Sequence, residues 1–252
     1  MKPSISRRLL CTLALLALSP ASALAGTAVA DPQEIVRRAD GFRQIYPDAL
    51  MNIRLTNYVG KQRERESLLK VAVSGSEKSL IQVVEGAELG QQMLTLDVGL
   101  WVKLPRSSRA VRITPMQRLL GEAAVGDIGR MRWQDDYLAR LAEQDTPAAM
   151  GGTTRLELTA RSGLATYPRI LLTVSTADGY PIEATFFLKS GKPIKTVIFD
   201  KPAKMNDRLG IRRMVFKDLL KPDNSTEMVV EQIIPKTIEP RLYAVETLGQ
   251  WR

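Results

Sequence analysis

Carboxylates are the main side chains in this sequence that could carry out a reaction, because its 252 residues include no histidine. Ser-His-Asp and Cys-His catalysis and nearly every common zinc site need histidine, so these chemistries are excluded. The only cysteine, Cys11, lies in an N-terminal segment that we expect to be removed. Thiolate nucleophiles are therefore excluded from the mature chain as well.

The carboxylates do not form a convincing acid/base pair. Asp135 and Asp136 are adjacent, so on a strand their side chains would point to opposite faces. Glu64 and Glu66 would share one face of a strand whose other face carries arginines, which is typical of a solvated hairpin end. A carboxylate hydrolase would need two deep carboxylates roughly 5–10 Å apart. We therefore predict that the protein is not an enzyme, and a carboxylate hydrolase is the least favoured alternative.

The glycine-rich stretch Gly121–Gly129 (GEAAVGDIG) is spelled like a phosphate-binding loop. It lacks the Gly-Lys-Ser/Thr ending of such loops, and it does not connect a strand to a long helix. We therefore reject a phosphate site and predict that the chain has no cofactor and no metal site.

Residues 1–25 have the organisation of a secretory signal peptide. A short basic segment precedes an apolar core, Leu9–Leu18, which is too short to span a membrane. Ala23–Ala25 supplies a cleavage signal, and cleavage after residue 30 is the alternative. We expect Sec-type export, and the Arg7-Arg8 pair leaves twin-arginine export open.

The charge of the chain indicates which partners it can meet. The formal net charge is +9, of which the leader carries +3, leaving +6 on the mature protein. This excess favours contact with an anionic lipid surface or an acidic partner. No aromatic platform is interleaved with the basic residues, so we predict that the protein does not bind nucleic acid.

An amphipathic helix is predicted to open the mature chain. Asp31 is a suitable N-cap, Pro32 suits the first helical position, and Pro47 is expected to end the helix. Its apolar stripe contains Ile35, Ala39, Phe42 and Tyr46.

Strands dominate the remainder of the sequence. From Met51 onwards, apolar and polar residues alternate with period two, which predicts about ten or eleven short strands. Pro115–Gly121 is predicted to form a short helix, and Ala148–Thr153 a loop between two halves of the sheet. No strand–helix–strand repeat occurs, which argues against a parallel sheet. We predict one mainly β, antiparallel domain over residues 26–252.

The stretch Met93–Trp133 resembles the central motif of the LolA-like family of outer-membrane lipoprotein-sorting proteins, in the longer branch associated with RND/MMPL-type exporters. Within it, Leu100–Pro105 (LWVKLP) and Arg109–Ile113 (RAVRI) are similar to the family's strand-and-arginine block. Met116–Gly121 (MQRLLG) resembles its short helix.

The resemblance covers most of the mature chain, roughly residues 32–242, and Lys195 and Asp218 also match family features. Two departures bear on cargo or partner choice. Many relatives carry an acidic pair where this chain reads Leu96–Leu100 (LDVGL), and they favour Tyr at the position of Lys103.

The resemblance implies a single antiparallel sheet curled into an incomplete, half-open barrel, with short helices plugging its open side. Its apolar concave face would hold acyl chains, and the helices would act as a lid. Residues expected to line this trough are Ile53, Leu55, Val71, Val73, Val83, Met93, Trp101, Ile170, Leu172 and Phe186. Each of them could equally be an ordinary core residue, because an apolar stripe on a strand looks the same in both cases.

Two further groups of residues are candidates for function. Met116, Leu119 and Leu120 would form the lid, or would merely fill the barrel. Arg106, Arg109 and Arg112 would contact a lipid headgroup or an acidic partner, or would be solvated charges at a strand end.

These features predict a monomeric periplasmic carrier of the Gram-negative envelope. It would bind the acyl chains of a lipoprotein or another hydrophobic envelope molecule and would help to deliver that cargo toward the outer membrane. An inner-membrane RND/MMPL-type exporter is the expected protein partner. The alternative is a periplasmic adaptor or sensor that carries nothing and uses the same fold to bind an envelope protein.

Overall fold

The computed structural model describes residues 31–75, 77–97, 99–129, 132–142, 152–163 and 165–251. The predicted leader and most of the predicted loop Ala148–Thr153 lie outside these residues. In the part of the chain that the structure describes, no helix has the length and apolarity needed to cross a membrane.

The described residues form mainly β-strands, together with three short α-helices and two 3-10 turns. The helices are α1 (Pro32–Gly41), α2 (Val125–Gly129) and α3 (Trp133–Asp136), and the 3-10 turns are Pro240–Leu242 and Val245–Thr247. The strands are β1 (Asp48–Val59), β2 (Gln62–Ser74), β3 (Lys78–Glu85), β4 (Gln92–Leu96), β5 (Gly99–Lys103), β6 (Val111–Ile113), β7 (Arg118–Leu120), β8 (Ala123–Ala124), β9 (Tyr137–Leu141), β10 (Thr153–Ala160), β11 (Arg169–Ser175), β12 (Pro181–Phe187), β13 (Pro193–Phe199), β14 (Ala203–Met205), β15 (Arg208–Gly210), β16 (Arg213–Asp218) and β17 (Asn224–Pro235).

Thirteen of these strands form one antiparallel sheet in the order β6-β5-β4-β3-β2-β1-β17-β16-β13-β12-β11-β10-β9. The two edge strands, β6 and β9, do not pair with each other, so the sheet curls without closing into a barrel. This confirms the predicted fold class. The predicted strand number was too low, partly because the small hairpins β7–β8 and β14–β15 are too short to show alternation.

Helix α1 starts as predicted and ends earlier than predicted. The Asp31 carboxylate accepts a hydrogen bond from the Gln33 backbone N–H at 3.1 Å, which satisfies one of the free amides of the first turn. The helix ends at Gly41 and not at Pro47, because the Arg43 and Gln44 amides both turn back to the Asp40 carbonyl at 2.9 Å.

The two faces of the sheet have separate apolar clusters. The concave face packs against α1, α2 and α3 and contains most of the buried apolar residues. The outer face of the first strands is covered by residues 236–251 of the C-terminal segment, through Tyr243, Leu248 and Trp251. Gln92 fixes this segment by bonding the Trp251 carbonyl at 2.9 Å and the Gly249 amide at 2.7 Å.

Candidate functional site

Residues 114–129 lie against the concave face of the sheet, and we call this segment the plug. Its chain first makes a turn, in which the Gln117 amide donates to the Thr114 carbonyl at 3.1 Å. It then forms the β7–β8 hairpin and helix α2. The predicted helix over Pro115–Gly121 is therefore wrong. The turn and a left-handed Gly121 (φ +87°) favour a hairpin there, and the helix begins at Val125.

The glycines of the plug are explained by close packing against its surroundings. A Cβ atom on Gly129 would lie 2.5 Å from the Ser79 hydroxyl oxygen and 3.1 Å from Ile81 Cδ1. A Cβ on Gly126 would collide with the Thr166 side chain, and one on Gly121 with Asn57. The GEAAVGDIG stretch thus needs glycine because the segment packs closely against its neighbours.

A buried ion pair joins the plug to the sheet. Asp127 of α2 pairs with Lys195 of β13, and both side chains are almost completely buried. The Tyr167 hydroxyl accepts a hydrogen bond from the Lys195 ammonium at 2.5 Å and donates one to Asp127 Oδ1 at 3.0 Å. The Ala124 amide donates to Asp127 Oδ2 at 2.8 Å. Every charge in this cluster therefore has a partner, as burial requires.

Lys195 and Asp218 were singled out from the sequence only through the family resemblance, and Asp127 and Tyr167 were missed. The available signal was the inward position of Lys195 in the strand Pro193–Phe199 (PIKTVIF), where it shares a face with Val197 and Phe199. A lysine in an apolar inward row is almost never left without a partner.

A second buried pair holds α1 to α3. The Arg43 guanidinium lies 2.8 Å from the Asp40 carboxylate and 4.1 Å from the centre of the Trp133 ring. Burial raises the pKa of Asp40 from 3.8 to about 6, although Arg43 and the Gln134 amide favour its charged form. Asp40 therefore joins α1 to α3 through the Gln134 amide, in surroundings whose burial disfavours its charged form.

A cavity of about 100 Å³ lies between the plug and the middle of the concave face. Its sheet wall is mainly apolar and includes Met51, Ile53, Val73, Met214, Met228 and Val230. Ile128 and Gly129 form the plug side, and the exposed Lys78 lies at its rim. The cavity therefore combines a mainly apolar sheet wall with a few charged lining residues, of which Lys78 is exposed, the general character of a ligand site.

The structure places nine of the ten predicted trough residues on the concave face. Ile53 and Val73 line the cavity itself. Seven others are buried in the concave cluster: Leu55, Val71, Val83, Met93, Ile170, Leu172 and Phe186.

Trp101 is the exception, and the prediction that it shares the trough face is wrong. In the β4–β5 pair Met93 is opposite Val102, while Trp101 is opposite Leu94. Trp101 therefore points to the outer face, where it packs against the C-terminal cluster. The reason is the two-residue period of a strand, which sends neighbours to opposite faces.

The predicted lid and arginine groups lie apart from each other. Leu120 and Met116 belong to the plug, and both pack in the concave cluster, where Leu120 is buried. The side chain of Leu119 lies outside what the structure describes. Arg106, Arg109 and Arg112 are exposed near the β6 edge of the sheet and do not line the cavity. The Arg112 guanidinium instead lies 5.7 Å from the Trp101 ring centre.

The adjacent carboxylates Asp135 and Asp136 lie in α3 and not on a strand, so the prediction of opposite strand faces is wrong. Arg132 lies 3.3 Å from Asp135 and 3.7 Å from Asp136, so both acids face the same guanidinium. This arrangement is that of a helix ion-pair cluster.

The chain was compared with known proteins. A model of a family of uncharacterized proteins matches residues 75–250. No curated protein matches the sequence. The solved structure of a LolA superfamily protein from Nitrosomonas europaea is 25% identical, with a TM-score of 0.77 over 85% of this chain and 97% of its own.

Two more solved structures share the fold at lower identity. A DUF1329 family protein from Desulfovibrio piger is 18% identical, with a TM-score of 0.70 over 86% of this chain and 99% of its own. An outer membrane lipoprotein-sorting protein domain from Vibrio parahaemolyticus is 17% identical, with a TM-score of 0.69 over 86% and 98%. With the half-open sheet and its plug, these matches show that the chain has the fold of LolA superfamily and lipoprotein-sorting proteins. Because the family model matches residues 75–250, more than half of the chain, the protein belongs to that family of uncharacterized proteins.

Proposed function

We propose that the protein is a periplasmic carrier that binds an acyl chain of a lipoprotein or another hydrophobic envelope molecule between its concave face and its plug. The observation that supports this proposal best is the apolar cavity at that position. Burial of a hydrocarbon chain contributes about 0.8 kcal/mol per methylene, so such a site needs no covalent chemistry to retain cargo.

Methionines give the cavity wall the adaptability that a carrier needs. Met51, Met214 and Met228 all line the cavity. Methionine side chains are unbranched and polarizable, so they can repack around chains of different shape. This composition supports a site for a variable hydrocarbon and not for one rigid ligand.

The cavity must enlarge before an acyl chain can enter. An engineered cavity of about 150 Å³ holds a molecule as small as benzene, and the space here is about 100 Å³. The described structure therefore represents a closed state in this proposal. Movement of the plug away from β3 would lengthen the cavity along the concave face.

An inner-membrane RND/MMPL-type exporter remains the proposed donor of cargo. The support for this step is the family resemblance of the sequence. Its test is a crosslinking experiment in the native envelope, in which recovery of a transporter of this type would support the proposal and its absence would contradict it.

An adaptor or sensor is the second candidate, and the small cavity volume favours it. Seven of the predicted trough residues are buried by neighbouring side chains and do not line open space. In this alternative the interior is a permanently packed core, and a protein partner binds elsewhere on the fold.

Native mass spectrometry of the mature protein, purified from periplasm without detergent, separates the two candidates. The carrier predicts an added mass that organic extraction releases as lipid, and uptake of a fluorescent fatty acid. A clean unliganded mass with no probe uptake would support the adaptor and contradict the carrier.

A cavity-filling variant connects the result to this site. Val73→Phe adds a ring to the cavity wall and should weaken binding of the fatty-acid probe at least five-fold, an effect of about 1 kcal/mol. Val59→Phe is the matched control, because Val59 is an exposed strand-end residue outside the cavity lining. Equal affinity of the two variants would place the probe elsewhere.

A further inference from the structure

The charged groups around the cavity are unevenly distributed. Arg43, Lys78 and Arg132 contribute positive charge to its lining, and Asp127 is the one carboxylate among the described lining residues. Asp127 is already paired with Lys195, which approaches from the sheet. Arg43 is likewise paired with Asp40, and Arg132 with Asp135 and Asp136. The charge that remains for a ligand is therefore the positive charge of Lys78.

Lys78 is the most accessible of the three cations. It is exposed at the first position of β3 and makes no ion pair with any residue that the structure describes. Its backbone lies next to the cavity wall, because Ser79 is opposite Val73 in the β2–β3 pair. Because Ser79 faces the plug, the Lys78 side chain leaves β3 on the other face, as Leu80 does. Its long flexible stem, at the first residue of the strand, would bring the ammonium to the rim around the strand end.

Arg132, on the plug side of the cavity, has a hydrogen-bond donor without a partner. Its guanidinium contacts Asp135 and Asp136 at 3.3 and 3.7 Å, which are long distances for charge-assisted hydrogen bonds. Its Nε atom is buried and has no hydrogen-bond partner. A buried donor without a partner is unfavourable, and an acceptor supplied by a ligand would relieve this penalty.

We propose that the mouth of the cavity binds an anionic headgroup, with Lys78 and Arg132 as its contacts, so that the cargo is an acyl amphiphile that carries a phosphate or a carboxylate. This inference rests on the proposed carrier function and narrows its cargo. A neutral headgroup would leave the Lys78 ammonium without a counter-charge. An anionic headgroup pairs with them while its chain occupies the methionine-rich wall.

The test uses three probes with the same oleoyl chain and different headgroups. These are oleate, oleoyl lysophosphatidate and uncharged monooleoylglycerol, titrated into the lipid-free mature protein at low ionic strength. We expect both anionic probes to bind at least ten-fold more tightly than the neutral probe. The preference between them identifies the headgroup as carboxylate or phosphate.

A charge-reversal variant of Lys78 tests whether the cavity mouth causes the preference for anionic probes. Lys78→Glu should reduce the ratio of anionic-probe affinity to monooleoylglycerol affinity at least ten-fold. The matched control is Lys189→Glu, in the exposed turn after β12. Both lysines are exposed, so neither variant is expected to affect folding.

The outcomes separate this inference from the function on which it rests. Equal affinity of the wild-type protein for all three probes would overturn the headgroup site and leave the carrier intact. Selectivity that survives in Lys78→Glu would also overturn it. Binding of none of the probes would overturn the carrier function itself.

Discussion

Asp127 illustrates how single residues hold the plug in place. Its carboxylate receives the Lys195 ammonium, the Tyr167 hydroxyl and the Ala124 amide in a region without solvent. The ammonium also lies 4.9–5.4 Å from the centres of three aromatic rings, those of Tyr167, Phe186 and Phe216. A charge so enclosed stabilises the fold only while its partner is present.

Removal of one charge of the Asp127–Lys195 pair should therefore destabilise the fold strongly. Lys195→Met leaves Asp127 buried without its cation, and we expect a loss of about 3–5 kcal/mol in the free energy of unfolding. Urea denaturation measures this change. The double variant Lys195→Met/Asp127→Asn should recover much of the loss, because it removes both charges. Arg241→Met, which breaks an exposed pair with Glu239, is the control, and an equally small effect at Lys195 would contradict the prediction.

The second residue-scale prediction concerns pH and Asp40. Because burial raises the pKa of Asp40 to about 6, the folded protein binds this proton more tightly than the unfolded chain does. The contribution of Asp40 to stability is therefore fully present below about pH 4 and is lost as pH rises through 6. Its size is on the order of 3 kcal/mol, at about 1.4 kcal/mol per pH unit.

The measurement is the unfolding free energy from pH 4 to pH 7 in the wild type and in Asp40→Asn. We expect the unfolding free energy of the wild type to fall by about this amount as the pH rises from 4 to 7. The Asp40→Asn variant should not show this fall. Asp223→Asn, which changes an exposed turn carboxylate, should follow the wild-type profile. Parallel profiles for wild type and Asp40→Asn would show that Asp40 does not titrate in this range.

Elements whose signals are local were predictable from the sequence, and those that depend on tertiary contacts were not. Helix α1 begins at its predicted residue because Asp31 and Pro32 act within one turn. The plug hairpin was missed because its conformation depends on glycines packed against a sheet that is distant in sequence. Lys195 and Asp127, which are 68 residues apart, could not be paired from the sequence for the same reason.

The plug is also the element whose movement the carrier function requires, and a disulfide can test this. A Cβ at Gly129 would lie 2.5 Å from the Ser79 hydroxyl oxygen, so cysteines at both positions replace this close contact with a bond between plug and sheet. Residues 26–252 contain no other cysteine. In Gly129→Cys/Ser79→Cys, we expect the oxidised protein to exclude the fluorescent fatty acid and the reduced protein to bind it.

The control for this experiment is a disulfide that leaves the plug free. Thr154 and Thr176 have hydroxyl oxygens 2.8 Å apart and lie outside the cavity lining. Thr154→Cys/Thr176→Cys should bind the probe equally well in both redox states. Uptake by the oxidised plug variant at the wild-type rate would show that the plug does not need to move.

The molecule as a whole uses the two faces of one sheet for different purposes. The concave face carries the plug and the cavity, whereas the outer face of β2–β5 is covered by the C-terminal segment. Trp251 belongs to this C-terminal segment, and the Lys70 ammonium lies 4.7 Å from its ring centre. The sheet separates the two clusters, so stability and cargo binding should respond to different substitutions.

Trp251→Ala tests this separation. Loss of the ring from the outer cluster should reduce the free energy of unfolding by about 3 kcal/mol, measured by urea denaturation. Affinity for the fatty-acid probe, measured under native conditions, should remain within two-fold of the wild type, because Trp251 lies on the face opposite the cavity. Val73→Phe should give the reverse pattern, with weakened binding and a smaller change in stability. If Trp251→Ala also weakened binding strongly, the C-terminal segment would be coupled to the plug through the sheet.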